Sequence, residues 1–361
     1  MEYTDYTIHE KYMSRAIHLA QKGLGKVSPN PMVGCVIVKN GKVIGEGFHE
    51  SFGGQHAEIE AIKNCIEDPC DASIYITLEP CSHHGKTPPC HTAIIENGIR
   101  DIYIAMPDPN PIMNGNSIAF LRDKGLNVQV GILEKEANKI NKGYTNWITT
   151  KLPLVIGKIA QDERGFIAKK GSQIWITGVA SKENVHKLRS KVDAIIVGKN
   201  TALIDNPKLT VREVIGFNPK RIVLDTNRTL PYNLNLLNDN KSETIILCSN
   251  KKFQDNQTSH CKYISVNEKN GKLDLNHVLV RLGELGIASL LIEGGADTMK
   301  SFLNENLINE FHLYTSLQSN QELDIKNPFY IDEKWEIKDK KLFDNDQLII
   351  LENKEKCLQE S

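Results

Sequence analysis

Apolar residues along the chain switch repeatedly between helical and strand spacing. In residues 8–22, Tyr12, Met13, Ala16, Ile17, Leu19 and Ala20 fall at helical intervals and Gly23 follows, which predicts an amphipathic helix with a glycine stop. The runs VGCVIV (33–38) and KVIGEG (42–47) flank Asn40-Gly41, a tight-turn dipeptide, and together predict a β-hairpin. Beyond it HAEIEAIKNC reads as helix, SIYITLEP as strand, CHTAIIENG as helix, DIYIAMPD as strand, SIAFLRDKG as helix and NVQVGI as strand. Alternation of this kind predicts a sheet that is mostly parallel after its opening hairpin, with helices on its faces.

A second αβ series starts at LPLVIGKIA (152–160), after the polar stretch EKEANKINKGYTN. The boundary is placed there, giving domains at 1–150 and 151–361, and 361 residues are enough for two cores. In the second domain AIIVG, RIVLD, TIILCS, SLLIEGG and FHLYTS read as strands, with KENVHKLRSK and HVLVRLGELG as helices between them. The Lys- and Glu-rich tail after Leu351 is expected to fray.

Composition narrows the classes. At 40% hydrophobic and 25% charged residues the chain is of ordinary globular type. With 44 basic against 45 acidic residues the net charge is −1, so nothing general draws it to a polyanion and no nucleic-acid partner is expected. There is no secretory apolar core at the N-terminus and no run long enough to span a bilayer, which predicts a cytoplasmic protein without a membrane partner. The 8 cysteines are too sparse for a disulfide framework and read as buried or free thiols. Cys65 and Cys70 are taken as structural, and only Cys81 and Cys90 have a distinctive setting.

That setting is TLEPCSHHGKTPPC (77–90), preceded by His56-Ala57-Glu58 at a predicted helix start. Pro80-Cys81 closes a predicted strand and Cys90 opens the next helix. One imidazole (His56) and two thiolates (Cys81, Cys90) form a neutral ligand set for Zn²⁺ with a fourth position left for water, as a catalytic zinc requires. Glu58 can then reach that water from the first helical turn, and helix N-termini should favour the thiolate of Cys90. An isolated HAE, or two cysteines nine apart, is common by chance; the three together at these element ends are not. This is the zinc-deaminase order of H-x-E, P-C and a second cysteine, with a longer loop than the usual P-C-x-x-C.

With MPDPNP (106–111) downstream, these residues resemble the deaminase domain of the RibD family of bifunctional riboflavin-biosynthesis enzymes. The resemblance continues through ITG after Trp175, KLR (187–189), NPKLTVR (206–212), RIVLD (221–225) and LIEGG (291–295), and so covers nearly the whole chain. It implies an α/β protein with a cytidine-deaminase-like αβα layer domain followed by a dihydrofolate-reductase-like α/β domain. It also implies hydrolytic deamination of 2,5-diamino-6-(5-phosphoribosylamino)pyrimidin-4(3H)-one, then NADPH-dependent reduction of the ribosyl to a ribityl side chain, by a homo-oligomer. Deaminase substrate contacts would be Asn30, His49, His83 and Lys86. NADPH contacts would be Trp175, Thr201, Asp205, Thr226 and the segment Gly295, Ala296, Asp297, Thr298, Met299, Lys300 and Ser301. Reductase substrate contacts would be Lys158, Ser172, Arg189, Leu209, Arg212 and Glu293, the two arginines suiting the ribose phosphate because a guanidinium fork binds it bidentately.

From the residues alone the reductase half is fainter, since it has no G-x-G-x-x-G and only an EGG at a strand end. The chain also departs from the family there: KIAQDERG replaces K-x-A-x-S-L-D-G, and GSQIW has one residue more than S-Q-W. These changes leave open an inactive second domain. The motifs are also compatible with a nucleoside or tRNA base deaminase carrying an accessory domain, and with a zinc-stabilised scaffold without catalysis.

Overall fold

Strand alternation in the N-terminal half sends successive side chains to opposite faces of one sheet. The computed structural model describes residues 7–82, 89–113, 115–171, 174–255, 261–318 and 322–356. It divides into two compact units, Met1–Thr150 and Lys151–Ser361. In the first, α1 (Ile8–Ala20) precedes the hairpin β1 (Gly34–Lys39) and β2 (Lys42–Phe48). Then follow α2 (Ala57–Lys63), β3 (Ser73–Ile76), α3 (Cys90–Glu96), β4 (Asp101–Ile104), α4 (Asn116–Asp123) and β5 (Asn127–Val130). The strand order is β2-β1-β3-β4-β5, with β3, β4 and β5 parallel and β1 antiparallel to both its neighbours. Asn40 and Gly41 both take positive φ, 50° and 74°, as the tight turn of a hairpin requires.

Cys35, Ile37, Ile74, Ile76, Ile102 and Ile104 face the layer of α2, α3 and α4. Val36, Val38 and Tyr75 face α1 on the other side, giving three layers, helix–sheet–helix. The helix α2 lies very close to β2. A Cβ on Gly45 would stand 2.4 Å from the Ala61 carbonyl oxygen, and one on Gly47 the same 2.4 Å from the backbone of Ala57 and Ala61. Glycine is required at both positions for the helix to seat where it does.

The polar stretch at the boundary is itself helical, as α5 (Glu134–Ile140) and α6 (Lys142–Thr150). Little apolar burial marks them: Ala137 is the one buried residue of α5, which is otherwise mostly exposed, and in α6 Tyr144 and Asn146 are buried while most of the rest is half-buried.

The second unit is built on a nine-stranded mixed sheet. Its elements are β6 (Leu154–Asp162), α7 (Val179–Arg189), β7 (Ala194–Gly198), α8 (Lys199–Asp205), β8 (Lys220–Leu224), β9 (Thr244–Ser249), β10 (Cys261–Val266), α9 (Leu275–Glu284), β11 (Ser289–Ile292), α10 (Ala296–Asn304), β12 (Glu310–Ser316), β13 (Trp335–Phe343) and β14 (Asp346–Asn353), besides shorter pieces. The order is β10-β9-β8-β7-β11-β6-β12-β14-β13, parallel from β10 through β12 and ending in an antiparallel hairpin. Of the tail expected to fray after Leu351, Glu352 and Asn353 continue β14, the Asn353 amide donating to Asn306 Oδ1 and the Ile308 carbonyl at 3.0 Å each, while residues 357–361 lie outside the described residues. Among the described residues no helix is long and apolar enough to cross a membrane, and the seven cysteines there are free thiols.

Candidate active sites

The three expected metal ligands come from three segments and meet at one point. His56 is the extended N-cap residue of α2, and Cys90 is the first residue of α3. Cys81 lies in the loop beyond β3, which ends at Ile76, short of the expected strand SIYITLEP running up to Pro80. Their ligand atoms all lie within 4.8 Å of one another. His56 Nδ1 is 3.2 Å from Cys90 Sγ, and the Cys90 backbone N–H donates to Cys81 Sγ at 3.2 Å. Hydrogen bonds from Cys90 and His56 draw the Cys81 thiol down to about 4. The Cys90 thiol goes the other way, raised by its hydrogen bond to Cys81 and by burial. The helix N-terminus thus stabilises the thiolate of Cys81 through the Cys90 N–H, rather than that of Cys90 as the sequence suggested. His56 is raised to about 9, chiefly by its hydrogen bond with Cys81. A nitrogen and two sulfurs packed this tightly fit a divalent soft cation, which alone can hold both sulfurs as thiolates.

Glu58 sits in the first turn of α2 and is 3% exposed. Burial, and next the Cys81 charge, push its carboxyl up to about 7. His49 is buried, and its ring centroid lies 5.9 Å from that of His56. Its Nδ1 pairs with the Gln55 carbonyl at 2.9 Å and its Nε2 with Asn30 Nδ2 at 3.1 Å. A backbone carbonyl only accepts and an amide nitrogen only donates, so the neutral ring carries its proton on Nδ1. Desolvation lowers the His49 pKa and keeps it in that form. His83 and Lys86 lie outside the described residues.

Glu79, in the TLEP turn, carries no sequence signal of its role. Its buried carboxylate accepts the backbone N–H groups of Asp108, Gly115, Ser117 and Ile118 at 3.0 to 3.4 Å. It therefore caps α4, which has no side-chain cap of its own, and ties the segment around Asp108 to the strand end that leads to Cys81.

In the second unit Arg189, Glu293, Lys158, Arg212 and His186 share one neighbourhood. The Arg189 guanidinium donates to both Glu293 oxygens, at 2.9 and 2.6 Å, and to the Thr210 carbonyl at 3.2 Å. Both side chains are nearly buried. The Arg189 fork, expected to grip the ribose phosphate, is thus engaged by a carboxylate, whereas Arg212 is exposed and donates to Thr210 Oγ1 at 2.9 Å. Lys158 lies near this pair; burial lowers its pKa, Glu293 opposes that, and Arg189 adds to it. His186 Nδ1 accepts the Arg212 N–H at 3.1 Å, and burial, with the Arg189 and Arg212 charges, lowers it to about 4. Leu209 is buried with φ +50°.

The departure DERG forms a turn. Asp162 is buried, and its carboxylate accepts the backbone N–H of Arg164 and of Phe166 at 3.0 and 2.9 Å, with the Arg164 side chain closing on it at 2.7 Å. Ser172 lies outside the described residues.

Around the start of α10, Gly295 donates its N–H to Thr201 Oγ1 at 2.9 Å, and the helix has no side-chain cap, leaving first-turn N–H groups for a ligand. A cavity of about 390 Å³ beside it is lined by Thr226, Asp297, Thr298 and Ser301 among others. It lies beyond the carboxyl ends of β7, β8 and β11, where open α/β sheets bind ligands. Trp175 and Lys300 are exposed, and Asp205 has its carboxyl raised by burial. Met299 departs from expectation. Its side chain is wholly buried in the core and its N–H is bonded to the Gly295 carbonyl, so neither can touch a cofactor.

Comparison with known proteins finds matches for both units. Residues 6–106 match the cytidine and deoxycytidylate deaminase zinc-binding region, and residues 157–316 match the RibD C-terminal domain. Riboflavin biosynthesis protein RibD of Actinobacillus pleuropneumoniae is 40% identical over 84% of this chain and 82% of its own length. The chain belongs to the RibD family. The relative from Aquifex aeolicus is 39% identical over 85% of this chain and 86% of its own. A solved deaminase/reductase from Thermotoga maritima superposes with a TM-score of 0.86 at 34% identity, covering 96% of this chain and 99% of that one. Acinetobacter baumannii RibD gives 0.83 at 31% identity with the same coverage.

Two outcomes follow from the geometry. Glu79→Gln should cost about 1–3 kcal/mol of stability in denaturant melts, the scale of leaving buried N–H groups poorly satisfied, and reduce the zinc content of the purified protein. His186 takes its proton more readily unfolded than folded, so stability should fall as pH drops from about 6.5 towards 4. His186→Gln should flatten that decline in denaturant melts compared across this range.

Proposed function

We propose that the N-terminal unit removes the 2-amino group of 2,5-diamino-6-(5-phosphoribosylamino)pyrimidin-4(3H)-one by hydrolysis. The C-terminal unit then reduces the ribosyl group of the product to ribityl with NADPH. What carries the reading is the His56–Cys81–Cys90 cluster with the buried Glu58 beside it, in a chain of the RibD family.

His56, Cys81 and Cys90 would hold a zinc ion, a Lewis acid that makes water nucleophilic near neutral pH. Glu58, buried in the first turn of α2 beside the cluster, is placed to take a proton and return it. It accepts the proton of the attacking water, passes it to the ring nitrogen, and assists protonation of the departing ammonia. His49, kept neutral with its proton on Nδ1, engages the Asn30 amide nitrogen and leaves Asn30 Oδ1 as an acceptor for an exocyclic amine. His83 and Lys86 complete the proposed substrate contacts.

In the C-terminal unit NADPH, when bound, supplies the hydride. The open N-terminus of α10 suits its pyrophosphate, with Thr201, Thr226, Asp297, Thr298 and Ser301 around it. Arg189 and Glu293 fix each other and, through Thr210, the segment bearing Leu209 and Arg212, whose exposed fork suits the ribose phosphate. Lys158, an ammonium of lowered pKa beside them, can give a proton to the ribose oxygen as the hydride reaches carbon. Because Asp162 satisfies its own turn, DERG leaves Lys158, Arg189 and Glu293 together and supports a working reductase. The near-zero net charge gives no general attraction to a polyanion. A cytoplasmic setting and a homo-oligomeric form belong to the same proposal.

Glu58→Gln should retain stoichiometric zinc by elemental analysis while ammonia release falls by about 100-fold or more, the contribution of a positioned acid–base group. Cys81→Ser should lose the metal. Unchanged deamination in the glutamine variant would refute the assignment.

A further inference from the structure

One wall of the cavity beside α10 comes from a segment outside the chemistry described above. Glu268–Lys269 and Lys272–Leu273 form a minimal antiparallel hairpin closed by Asn270 and Gly271, both at positive φ, 53° and 74°. Positive φ at both central residues is the pattern favoured for two-residue hairpins, whose twist matches that of the strands. The hairpin is also anchored at its base. Leu273 is buried, the Asp274 N–H donates to the Asn267 carbonyl, and the Asp274 side chain accepts from Asn276 and His277 at the start of α9.

In this register Lys269 stands directly opposite Lys272, so both side chains leave the same face, and both line the cavity. Like charges facing across a strand pair are destabilising. Neither ammonium is within salt-bridge reach of an acidic group among the described residues, whereas neighbouring Glu268 is already paired with Lys251 at 2.8 Å. The cavity's two acidic residues are Asp297, in the first turn of α10, and Glu305, which accepts from Asn276 Nδ2 at 2.9 Å. The two ammonium groups, on one face and both lining the cavity, offer an anion there two cationic partners. Across the same cavity lie Thr226, Thr298, Ser301 and the open N-terminus of α10.

We propose that Lys269 and Lys272 hold the 2′-phosphate of the adenosine half of NADPH and so make the second unit select NADPH over NADH. The inference rests on the reductase reading, which places the pyrophosphate at α10. A phosphate on the same ligand but apart from the pyrophosphate is what the hairpin's position fits, and an ammonium on a flexible stem suits a phosphate dianion.

The test is the double variant Lys269→Gln/Lys272→Gln in the full chain, with affinities for NADPH, NADH, adenosine 2′,5′-bisphosphate and 5′-AMP measured by fluorescence titration and calorimetry. NADPH and the bisphosphate should bind about 10- to 100-fold more weakly, the scale of one or two charge-assisted hydrogen bonds, with NADH and 5′-AMP unchanged. The salt dependence of NADPH binding should shrink in parallel. Both lysines are exposed and their repulsion is removed, so the unfolding midpoint should hold or rise, separating a binding effect from misfolding. Equal weakening of NADPH and NADH, or none, would overturn the inference while leaving the reductase reading intact. So would an unaltered NADPH-to-NADH ratio combined with weaker binding of the phosphorylated substrate. A wild-type protein that binds neither NADPH nor the bisphosphate would refute the reductase reading itself, and the inference with it.

Discussion

The deaminase half depends on how closely one short helix can approach one strand. The cluster needs atoms from residues 56, 81 and 90 within 4.8 Å, and His56 is placed by the start of α2. That start is fixed by backbone contact of α2 with β2 at Gly45 and Gly47, where any Cβ would collide with the helix main chain at 2.4 Å. Contact between backbones is stiffer than contact between side chains, because no rotamer change relieves it. The other two ligands are placed by the sheet. Cys81 follows β3, beyond which Glu79 is bonded to the start of α4, and Cys90 is locked to Cys81 by its own N–H and by the His91 Nδ1 contact with the Cys81 carbonyl at 3.0 Å. In this framework one hydrogen bond shared by the two sulfurs lowers the Cys81 thiol and raises that of Cys90, and a bound cation would hold both as thiolates.

The second unit uses buried charge differently. Arg189 and Glu293 are 104 positions apart and meet as a bidentate pair between the end of α7 and the end of β11. Burying two charges is costly, and their mutual hydrogen bonds offset that cost only because the geometry is good. The pair binds the segment near Thr210 and faces Lys158 and His186, both of which burial holds at lowered pKa while the Arg189 charge adds to the effect. Of the two arginines that the sequence marked for phosphate, Arg189 is thus bonded to Glu293 and to the segment near Thr210.

Chemistry written in short spacings was legible from the sequence. HAE, P-C and the second cysteine announced a metal site because each falls near an element end, and those ends follow from hydrophobic periodicity. The Asn40-Gly41 hairpin and the alternation behind both sheets were equally plain, since both depend on local conformation and one buried face. What stayed hidden depends on distant partners or on sparse patterning. Glu79 caps a helix 38 residues downstream, and nothing beside it says so. The helices α5 and α6 bury too few side chains to register as periodic, and β13 is largely exposed, so no alternation marks it. Asp162 reads as a loss from a motif, yet its carboxylate caps its own turn.

The reductase half is where chemistry and sequence departure meet, so the decisive measurement lies there. Purified protein supplied with 5-amino-6-(5-phosphoribosylamino)uracil should oxidise NADPH one for one with appearance of the ribityl product. No NADPH consumption, with zinc bound and ammonia still released from the diamino substrate, would contradict a chain in which both units work.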